Sequence, residues 1–487
     1  MTIIKPNVII FSNFLYLYLK ITFINKIGCK MNKITFIGAG SMVFADNILT
    51  DILTFPSFQK NTLICLEDID SRRLDTTFRY IKKIIEDNSQ ILDDVEVEKT
   101  TNQRKAIEDA KYIINAIQVG WLDVMKFDFE IPLKYGVSQC VGDTLGPGGV
   151  FRFLRTVPAI KSIIEDIREF GYNTKKNCDK PLLLNYSNPM AMNTWYCNLL
   201  LPDSTIGLCH GVQETAAALM NLLKVQEENF SFLCAGINHM AWYLEVWYRK
   251  NQKTPWQDAY PELKRKLNDN PRYSEIEKLR RDMMNACGYY MTESSGHLSE
   301  YLPYYRKRKD LLEKYKSNKF FYGHLRHGAY YELCVATEGK TEKKFEERIK
   351  EPVLKLKKNP TTEYASHILN AIETNKAFRF NGNLINNEQS LITNLPKGCC
   401  VEVPIFADSH GLHPEGGIKL PTVCQALCMS NIMVQKAAVE GAIELNKEKI
   451  YHAVLLDPNT ASVCSPSEIR EMVDEMFEKE GRWMPKF

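Results

Sequence analysis

Short apolar runs alternate with longer mixed stretches along the chain from about residue 33 onward. The first run, KITFI at 33–37, is apolar and β-branched at most positions, as in a central parallel strand that is covered on both faces. Similar runs follow, with stretches of helical length between them. This rhythm predicts repeated βαβ units in a doubly wound parallel sheet. The further runs fall within TLICLEDID (62–70), YIINAIQVG (112–120), PLLLNYSNP (181–189) and IGLCHG (206–211).

A glycine turn follows the first predicted strand. In FIGAGSM, Gly38 and Gly40 allow a tight turn and close approach of a ligand to the backbone. Ser41 opens the next predicted helix, whose free N–H groups can hold a pyrophosphate. Val43 stands where a third glycine is usual, so this motif alone indicates a dinucleotide site only weakly.

The second predicted strand ends in acidic residues, which strengthens the interpretation as an NAD site. A carboxylate at this position can accept hydrogen bonds from the ribose hydroxyls and favour NAD over its phosphorylated form. We expect Asp68 to do this, with Glu67 and Asp70 as neighbours. The alternative is a doubly wound sheet that binds no nucleotide.

The composition is that of a globular protein, since 45% of the 487 residues are hydrophobic and 25% are charged. This length suits two or three domains. A formal net charge of +3 gives no electrostatic case for a nucleic-acid partner or an anionic membrane surface. The 14 cysteines form no zinc-like Cys-x-x-Cys pairs. We therefore expect mostly reduced thiols and a cytoplasmic protein.

Residues 1–30 contain an apolar run that Lys20 interrupts, and no small-residue cleavage site follows it. Met31 comes next, and MNKITFIGAGS is typical of a natural start. We interpret residues 1–30 as an extension outside the fold, with a secretory signal as the alternative.

Cys209 and His239 are candidate metal ligands. Cys209 ends a strand-like run, and His239 lies in CAGINHMAWYLEV (234–246), which we predict to place it on another strand. A thiolate and an imidazole, with sugar hydroxyls and water in the other positions, suit a divalent transition ion. Taken singly, a buried cysteine and a core histidine are more often structural.

The segment VGDTLGPGGVFRFLRTVPAI is the most unusual part of the chain. We expect Gly146, Pro147, Gly148 and Gly149 to form a rigid loop with close backbone approach. Asp143, Arg152 and Arg155 flank them and could bind a hydroxylated ligand. The alternative is a connection between domains in which the arginines form structural ion pairs.

Three tyrosines lie in TESSGHLSEYLPYYRK (292–307). Tyrosines are usually packing residues whose hydroxyl has a partner. A tyrosinate near a metal could instead act as a base, because the cation favours the ionised phenol.

These segments together resemble glycoside hydrolase family 4, most closely its α-galactosidase (melibiase) branch. The resemblance runs in order from about residue 33 to about residue 487, so it covers all but the N-terminal extension. The matching stretches are KITFIGAGS, GDTLGPGGVFRFLRT, NYSNPMAMNTW, IGLCHGVQ, CAGINHMAWYLE, MTESSGHLSEY, NLPKGCCVEV and LLDPNTASV.

The resemblance implies an α/β fold in which an N-terminal Rossmann-like doubly wound parallel sheet, akin to that of lactate and malate dehydrogenases, precedes a C-terminal mixed α/β catalytic region. We therefore divide the chain into an extension (1–30), an NAD-binding domain (31–215) and a catalytic and oligomerisation domain (216–487). The family is also an exception to the paired-carboxylate mechanism of glycosidases.

The implied activity is hydrolysis of an α-galactoside with NAD and Mn²⁺ or another divalent transition metal. It proceeds by oxidation at carbon 3, elimination, addition of water and re-reduction. The resemblance further implies a homo-oligomer, either a dimer or a tetramer.

Site roles carry over from the matching motifs. The metal ligands of the family fall on Cys209 and His239, and the presumed acid, the residue after the cysteine, falls on His210. Asn188, in the Asn-Pro pair, would contact the sugar, and Asp143 is a further candidate for binding substrate. The base tyrosine aligns best with Tyr301, and the alternatives are Tyr304 and Tyr305.

Two positions depart from the family pattern, and both could alter the choice of substrate. Thr362 stands before EYAS where close relatives have an arginine, and Gly296 replaces an acid in ESSGH. Glucosides, glucuronides, galacturonides or phosphorylated sugars are therefore alternative substrates. Two other functions stay open: an NAD-dependent hydroxy-acid dehydrogenase, and a catalytically silent protein that senses a sugar or a nucleotide.

Overall fold

The computed structural model describes residues 31–171, 180–271, 275, 277–316 and 325–487. The predicted extension at 1–30 lies outside the described residues. Among the described residues, no helix is both long enough and apolar enough to cross a membrane.

The first half of the chain forms a parallel sheet of six strands, in the order β3-β2-β1-β4-β5-β6. This is the strand order of dinucleotide-binding folds, in which ligands bind at the carboxyl ends of the strands. The predicted Rossmann-like fold is therefore confirmed. The strands are β1 (Asn32–Ile37), β2 (Thr62–Glu67), β3 (Val95–Thr100), β4 (Tyr112–Asn115), β5 (Leu182–Asn185) and β6 (Thr205–Gly207).

The edge strand β3 was missing from the sequence prediction. Its sequence, VEVEKT, alternates apolar and charged residues, and its charged side chains are exposed or half-buried. The central strands β1 and β4, in contrast, are buried at almost every position. A search for continuous apolar runs therefore finds the central strands and overlooks this edge.

The second half of the chain extends the same sheet with antiparallel strands, in the order β6-β11-β12-β7-β8-β10. Because β6 pairs directly with β11, one continuous sheet carries both halves, and the domain boundary after residue 215 stays a prediction. The added strands are β7 (Phe230–Ile237), β8 (Met240–Tyr248), β9 (Gln257–Asp258), β10 (Tyr290–Met291), β11 (Phe378–Ile385), β12 (Cys400–Asp408) and β13 (Gly411–Pro414).

Helices fill the connections, and several begin at a capping side chain, as the free N–H groups of a first turn require. Asp70 and Ser465 accept hydrogen bonds from the first turns of the helices that follow them. The α-helices are α1 (Met42–Thr54), α2 (Ser71–Asp87), α3 (Gln103–Ile107), α4 (Trp121–Lys134), α5 (Gly146–Phe170), α6 (Met190–Leu200), α7 (Gly211–Leu223), α8 (Tyr260–Asp269), α9 (Lys278–Cys287), α10 (Ser295–Tyr301), α11 (Lys309–Tyr315), α12 (Ala329–Thr337), α13 (Lys340–Ile349), α14 (Ala365–Thr374), α15 (Thr422–Glu444), α16 (Lys447–Leu456), α17 (Pro458–Ala461) and α18 (Pro466–Glu480).

The long helix α5 changes the interpretation of the glycine-rich segment. The glycines at 146–149 form its first turn and not a loop. A Cβ on Gly149 would lie 2.5 Å from the backbone carbon of Thr144, so glycine allows the preceding chain to fold back onto the helix. Arg155 on this helix is fully buried and pairs with Asp128 and Glu480. Arg155 therefore forms a structural ion-pair cluster, as the alternative interpretation expected.

Candidate active site

The glycine turn after β1 has the geometry that a dinucleotide needs. Gly38 has a φ of +86°, and a Cβ there would lie 2.7 Å from the carbonyl oxygen of Ala116. The Gly40 N–H donates to Oδ2 of Asp68 over 2.7 Å, so the acidic residue after β2 lies directly beside the turn. Ser41 is the N-cap of α1 and makes no side-chain capping bond. These four predicted cofactor residues are thus together at the carboxyl end of the parallel sheet.

Cys209 lies two residues after the last residue of β6, at the same edge of the sheet. Its backbone is held by the hydroxyl of Tyr364, which accepts from the Cys209 N–H over 2.9 Å and donates to the Cys209 carbonyl over 2.7 Å. Burial and the charge of Glu293 raise the pKa of the Cys209 thiol well above its ordinary value. A divalent cation would reverse this, because a coordinating thiol is deprotonated.

His239 lies in the turn between β7 and β8 and not on a strand, so its predicted placement was wrong. Asn238 and His239 form a two-residue hairpin turn, and His239 has a φ of +63°. A turn residue can direct its side chain beyond the end of the sheet, whereas a strand residue is limited to the two faces. Burial lowers the pKa of His239 to about 4. The imidazole is therefore neutral, the form that binds metals.

Glu293 completes a group of three potential ligands with Cys209 and His239. The three ligand atoms lie within 4.8 Å of one another. Oε1 of Glu293 is 3.9 Å from Sγ of Cys209 and 3.7 Å from Nε2 of His239. Like His239, Glu293 has a positive φ, of +72°. Thiolate, imidazole and carboxylate together suit a divalent transition ion, so the residues present fit such a metal.

Gly211 makes room for the Glu293 carboxylate. A Cβ at position 211 would lie 2.3 Å from Oε1 of Glu293. A Cβ at the first residue of α7 would therefore displace the carboxylate from this position beside the end of β6. Glu293 was not among the residues predicted from the sequence, although it stands in the stretch MTESSGHLSEY. Its acidic type was a signal, but its distance in sequence from Cys209 concealed the contact.

Tyr301, at the end of α10, points into the same site. Its hydroxyl is 3.0 Å from Nδ1 of His239 and 3.0 Å from Nε2 of His297. Burial raises the pKa of Tyr301 well above its ordinary value. The two alternatives lie elsewhere, because Tyr304 is 43% exposed and Tyr305 donates to Asp282. The structure thus brings only Tyr301 of these three to the candidate ligands.

His297 links the ligand group to the predicted substrate residues. Its Nδ1 is 3.2 Å from Glu293 and its Nε2 is 3.2 Å from Asp143. Burial lowers the pKa of His297, but the hydrogen bonds and charges of Asp143 and Glu293 outweigh burial and raise it to about 10. His297 was also not among the residues predicted from the sequence. Its place four positions before Tyr301, on the same face of α10, was the available signal.

Asp143 and Asn188, the predicted substrate residues, contact each other. The Asn188 side-chain amide donates to Oδ2 of Asp143 over 2.7 Å. Burial would raise the pKa of Asp143, but the hydrogen bond and charge of His297 hold it well below its usual range. An ionised carboxylate beside an amide offers acceptors and donors that match adjacent sugar hydroxyls.

Glu300 holds the loop that carries Asp143. Its carboxylate accepts from the backbone N–H groups of Cys140, Val141 and Gly142, with distances of 2.6 Å and 3.0 Å to the last two. Three N–H donors on one carboxylate fix the path of this loop. Because Glu300 precedes Tyr301, one turn of α10 positions both the loop and the tyrosine.

His210 lies at the solvent side of the site. Its side chain is 42% exposed, and its Nδ1 is 3.7 Å from Oε1 of the buried Glu363. An exposed imidazole next to the candidate metal ligands is accessible to a leaving group. Of the two departures from the family pattern, Gly296 is buried in the first turn of α10 and Thr362 is exposed beside Glu363.

Comparison with known families accounts for nearly all of the described chain. Residues 33–225 match the model of family 4 glycosyl hydrolases, and residues 234–460 match the model of the family 4 glycosyl hydrolase C-terminal domain. The candidate cofactor-binding residues and the candidate metal ligands all lie within these two matches.

Curated relatives agree with this assignment. An α-galactosidase of Rhizobium meliloti is 38% identical over 93% of this chain and 89% of its own length. An α-galactosidase of Bacillus subtilis is 36% identical over 94% of this chain and its whole length. An α-galacturonidase of Thermoanaerobacter italicus is 26% identical over 93% of this chain and 97% of its own length.

Solved structures share the fold. A putative glucosidase of Bacillus subtilis superposes with a TM-score of 0.76 at 23% identity, over 92% of this chain and 99% of its own. The 6-phospho-β-glucosidase of Thermotoga maritima, solved with manganese, NAD⁺ and glucose-6-phosphate, gives a TM-score of 0.72 at 20% identity, over 93% of this chain and all of its own. From its sequence matches along both halves, the chain belongs to family 4 of the glycosyl hydrolases.

Proposed function

We propose that the protein hydrolyses α-galactosides with NAD and a divalent transition metal such as Mn²⁺. One observation carries this proposal: the group Cys209, His239 and Glu293 lies against the Tyr301 hydroxyl at the carboxyl edge of a Rossmann-like sheet. The two α-galactosidases with 36% and 38% identity support the choice of sugar. The solved relative that holds manganese and NAD⁺ supports the choice of cofactors.

The metal would be held by Cys209 and His239, with Glu293 as a third ligand. NAD would lie on the glycine turn, with its pyrophosphate at Gly38, Gly40 and Ser41 and its ribose at Asp68. When bound, the dinucleotide supplies a hydride acceptor and donor at carbon 3, and the metal ion supplies polarisation of the carbonyl oxygen there.

Protein side chains would carry the proton transfers. Tyr301 removes the proton from carbon 2, which the neighbouring carbonyl makes acidic. His210 donates a proton to the glycosidic oxygen as the bond to carbon 1 breaks. Asp143 and Asn188 bind sugar hydroxyls and hold carbon 2 towards Tyr301. Elimination in this way needs a base beside the metal ligands. Tyr301 suits this role, because its hydroxyl lies 3.0 Å from Nδ1 of His239.

The two alternative functions explain less of this arrangement. A hydroxy-acid dehydrogenase has no need of a cysteine, a histidine and a glutamate converging on one point. A silent sensor has no need of a buried tyrosine hydroxyl between two imidazoles. We also propose that the protein is a cytoplasmic homo-oligomer, as the family resemblance implies.

The test is hydrolysis of nitrophenyl α-galactoside under reducing conditions by protein stripped of metal and nucleotide. We expect cleavage only when NAD⁺ and Mn²⁺ are both restored. Cleavage without either addition would refute the proposed mechanism. Cleavage of a nitrophenyl galacturonide or glucoside, but not of the galactoside, would keep the mechanism and refute the sugar.

A second measurement tests Glu293 independently of activity. Titration of Mn²⁺ into the metal-free protein, followed by electron paramagnetic resonance, gives the Kd. We expect Glu293→Gln to raise this Kd by at least about 10- to 100-fold. Loss of a residue that only orients a metal ligand already weakens metal binding by this factor. Glu388→Gln, at a side chain that is 86% exposed, is the control. An unchanged Kd in Glu293→Gln would remove Glu293 from the ligand set.

A further inference from the structure

A buried glutamate lies beside His210, the residue assigned as the proton donor. Glu363 is 7% exposed, and its Oε1 is 3.7 Å from Nδ1 of His210. Its other oxygen, Oε2, has no hydrogen-bond partner among the described residues. Burial raises the pKa of Glu363 and the charge of His210 lowers it, because a buried carboxylate needs a compensating partner. Among the described residues, His210 is the side chain at ion-pair distance from this carboxylate.

The chain on both sides of Glu363 is anchored. On one side, the hydroxyl of Tyr364 bonds to both the N–H and the carbonyl of Cys209. On the other side, the Thr361 N–H donates over 2.9 Å to Asp51, which is fully buried. The Glu363 backbone is therefore held against the same strand end that carries His210, and the pair is a fixed feature of the fold.

We propose that Glu363 is a positioning residue for leaving-group departure: Oε1 accepts the Nδ1–H of His210 and holds the ring with Nε2 directed at the glycosidic oxygen. This inference rests on the proposed function. A carboxylate on Nδ1 selects one tautomer and one orientation of an imidazole. Catalytic hydrogen bonds are often long in unliganded enzymes and shorten when substrate binds, so a separation of 3.7 Å suits this role.

The proton balance of the step is simple. As the bond between carbon 1 and the glycosidic oxygen breaks, its electron pair goes to that oxygen, which takes the Nε2 proton of His210. The electron pair left at carbon 2 by proton removal forms the double bond to carbon 1. Glu363 neither gains nor loses a proton, because the Nδ1–H stays between it and the ring.

The test uses two substrates with the same sugar but with aglycones that differ in their need for an acid. Nitrophenolate leaves without protonation, whereas the alkoxide of methyl α-galactoside needs a proton. We would measure kcat/KM for both with the protein loaded with NAD⁺ and Mn²⁺, in wild type, Glu363→Gln, Glu363→Asp, His210→Ala and the double variant His210→Ala/Glu363→Gln. Glu388→Gln is the control, since this side chain is 86% exposed and pairs with Lys397.

We expect Glu363→Gln to lower kcat/KM for the methyl glycoside by at least about tenfold, a part of the 10²- to 10⁴-fold that general acid catalysis provides. The nitrophenyl glycoside should change by less than about threefold by the same reasoning. Glu363→Asp should retain more activity on the methyl glycoside than Glu363→Gln. The double variant should be no slower than His210→Ala, because the two residues act as one unit.

A third readout follows the proton at carbon 2. In D₂O, methyl galactoside recovered from Glu363→Gln should carry deuterium at carbon 2, because departure becomes slower than return of the proton. Equal losses on both substrates, or additive losses in the double variant, would overturn the inference and assign Glu363 a structural role. If the wild type cleaves neither substrate, the proposed function fails, and this inference fails with it.

Discussion

The cofactor side and the metal side of this active site are assembled differently. Gly38, Gly40 and Ser41 are neighbours in one turn, and Asp68 comes from the next strand of the same βαβ unit. The candidate metal ligands come from three separate places: the end of β6, the hairpin turn between β7 and β8, and the segment before α10. A local motif specifies the first side, whereas the second exists only when the two halves share one sheet.

This difference predicts that the two sides can be damaged separately. Changes on the metal side should abolish catalysis and leave NAD affinity intact. Changes on the cofactor side should weaken NAD binding and leave metal affinity intact.

Loss of a metal ligand should be the most damaging change. We expect Cys209→Ser and His239→Ala each to lower kcat by on the order of 10³-fold, because the metal stabilises developing charge by several kcal/mol. Mn²⁺ binding, measured by electron paramagnetic resonance, should weaken in parallel. Cys464→Ser, at a half-buried thiol that donates to the Tyr135 carbonyl, is the control. Weak NAD binding in the two ligand variants would contradict the independence of the two sides.

Loss of the base should separate chemistry from binding. We expect Tyr301→Phe to lower kcat by about 10²- to 10³-fold, within the range of general acid–base catalysis. The Kd values for Mn²⁺ and NAD should change little, since the ring and its packing remain. Tyr304→Phe removes a hydroxyl from an exposed side chain and should retain wild-type kcat. Similar losses in both variants would reject Tyr301 as the base.

The cofactor side should respond to Asp68→Asn. We expect the Kd for NAD to rise by about tenfold or more, because hydrogen bonds to a charged group contribute about 1.5–3 kcal/mol. The Kd for Mn²⁺ should stay at its wild-type value, as measured on the same preparations. A change in metal affinity would show that the two sides are coupled through the sheet.

The smallest effect is expected at Glu300, which supports the loop of Asp143 without contacting a ligand. We expect Glu300→Gln to lower the free energy of unfolding by about 1–3 kcal/mol, because an amide is a weaker acceptor for three buried N–H groups. Chemical denaturation of the variant and the wild type measures this difference in the free energy of unfolding. Glu388→Gln breaks a surface ion pair and should cost less than about 1 kcal/mol. If the two variants were equally stable, Glu300 would not be needed to hold the loop of Asp143 in place.

Sequence patterns were most informative where the physics is local. The apolar runs located the central strands of the parallel sheet, since those strands are covered on both faces. The edge strand β3 was not predicted because apolar and charged residues alternate along it. The glycines at 146–149 predicted close backbone approach correctly but suggested a loop, because glycine is a poor helix former and the tertiary contacts of α5 override that preference.

Residue patterns alone predict the Rossmann-like half and its glycine turn with Asp68. They also identify Cys209, His210, His239 and Tyr301 as candidates for chemistry. Which side chains meet depends on tertiary packing. Glu293 joins the candidate metal ligands because Gly211 leaves space for its carboxylate. His239 reaches them from a hairpin turn that depends on strands paired in the second half. Contacts between segments so distant along the chain arise from packing, and no local pattern of residues encodes them.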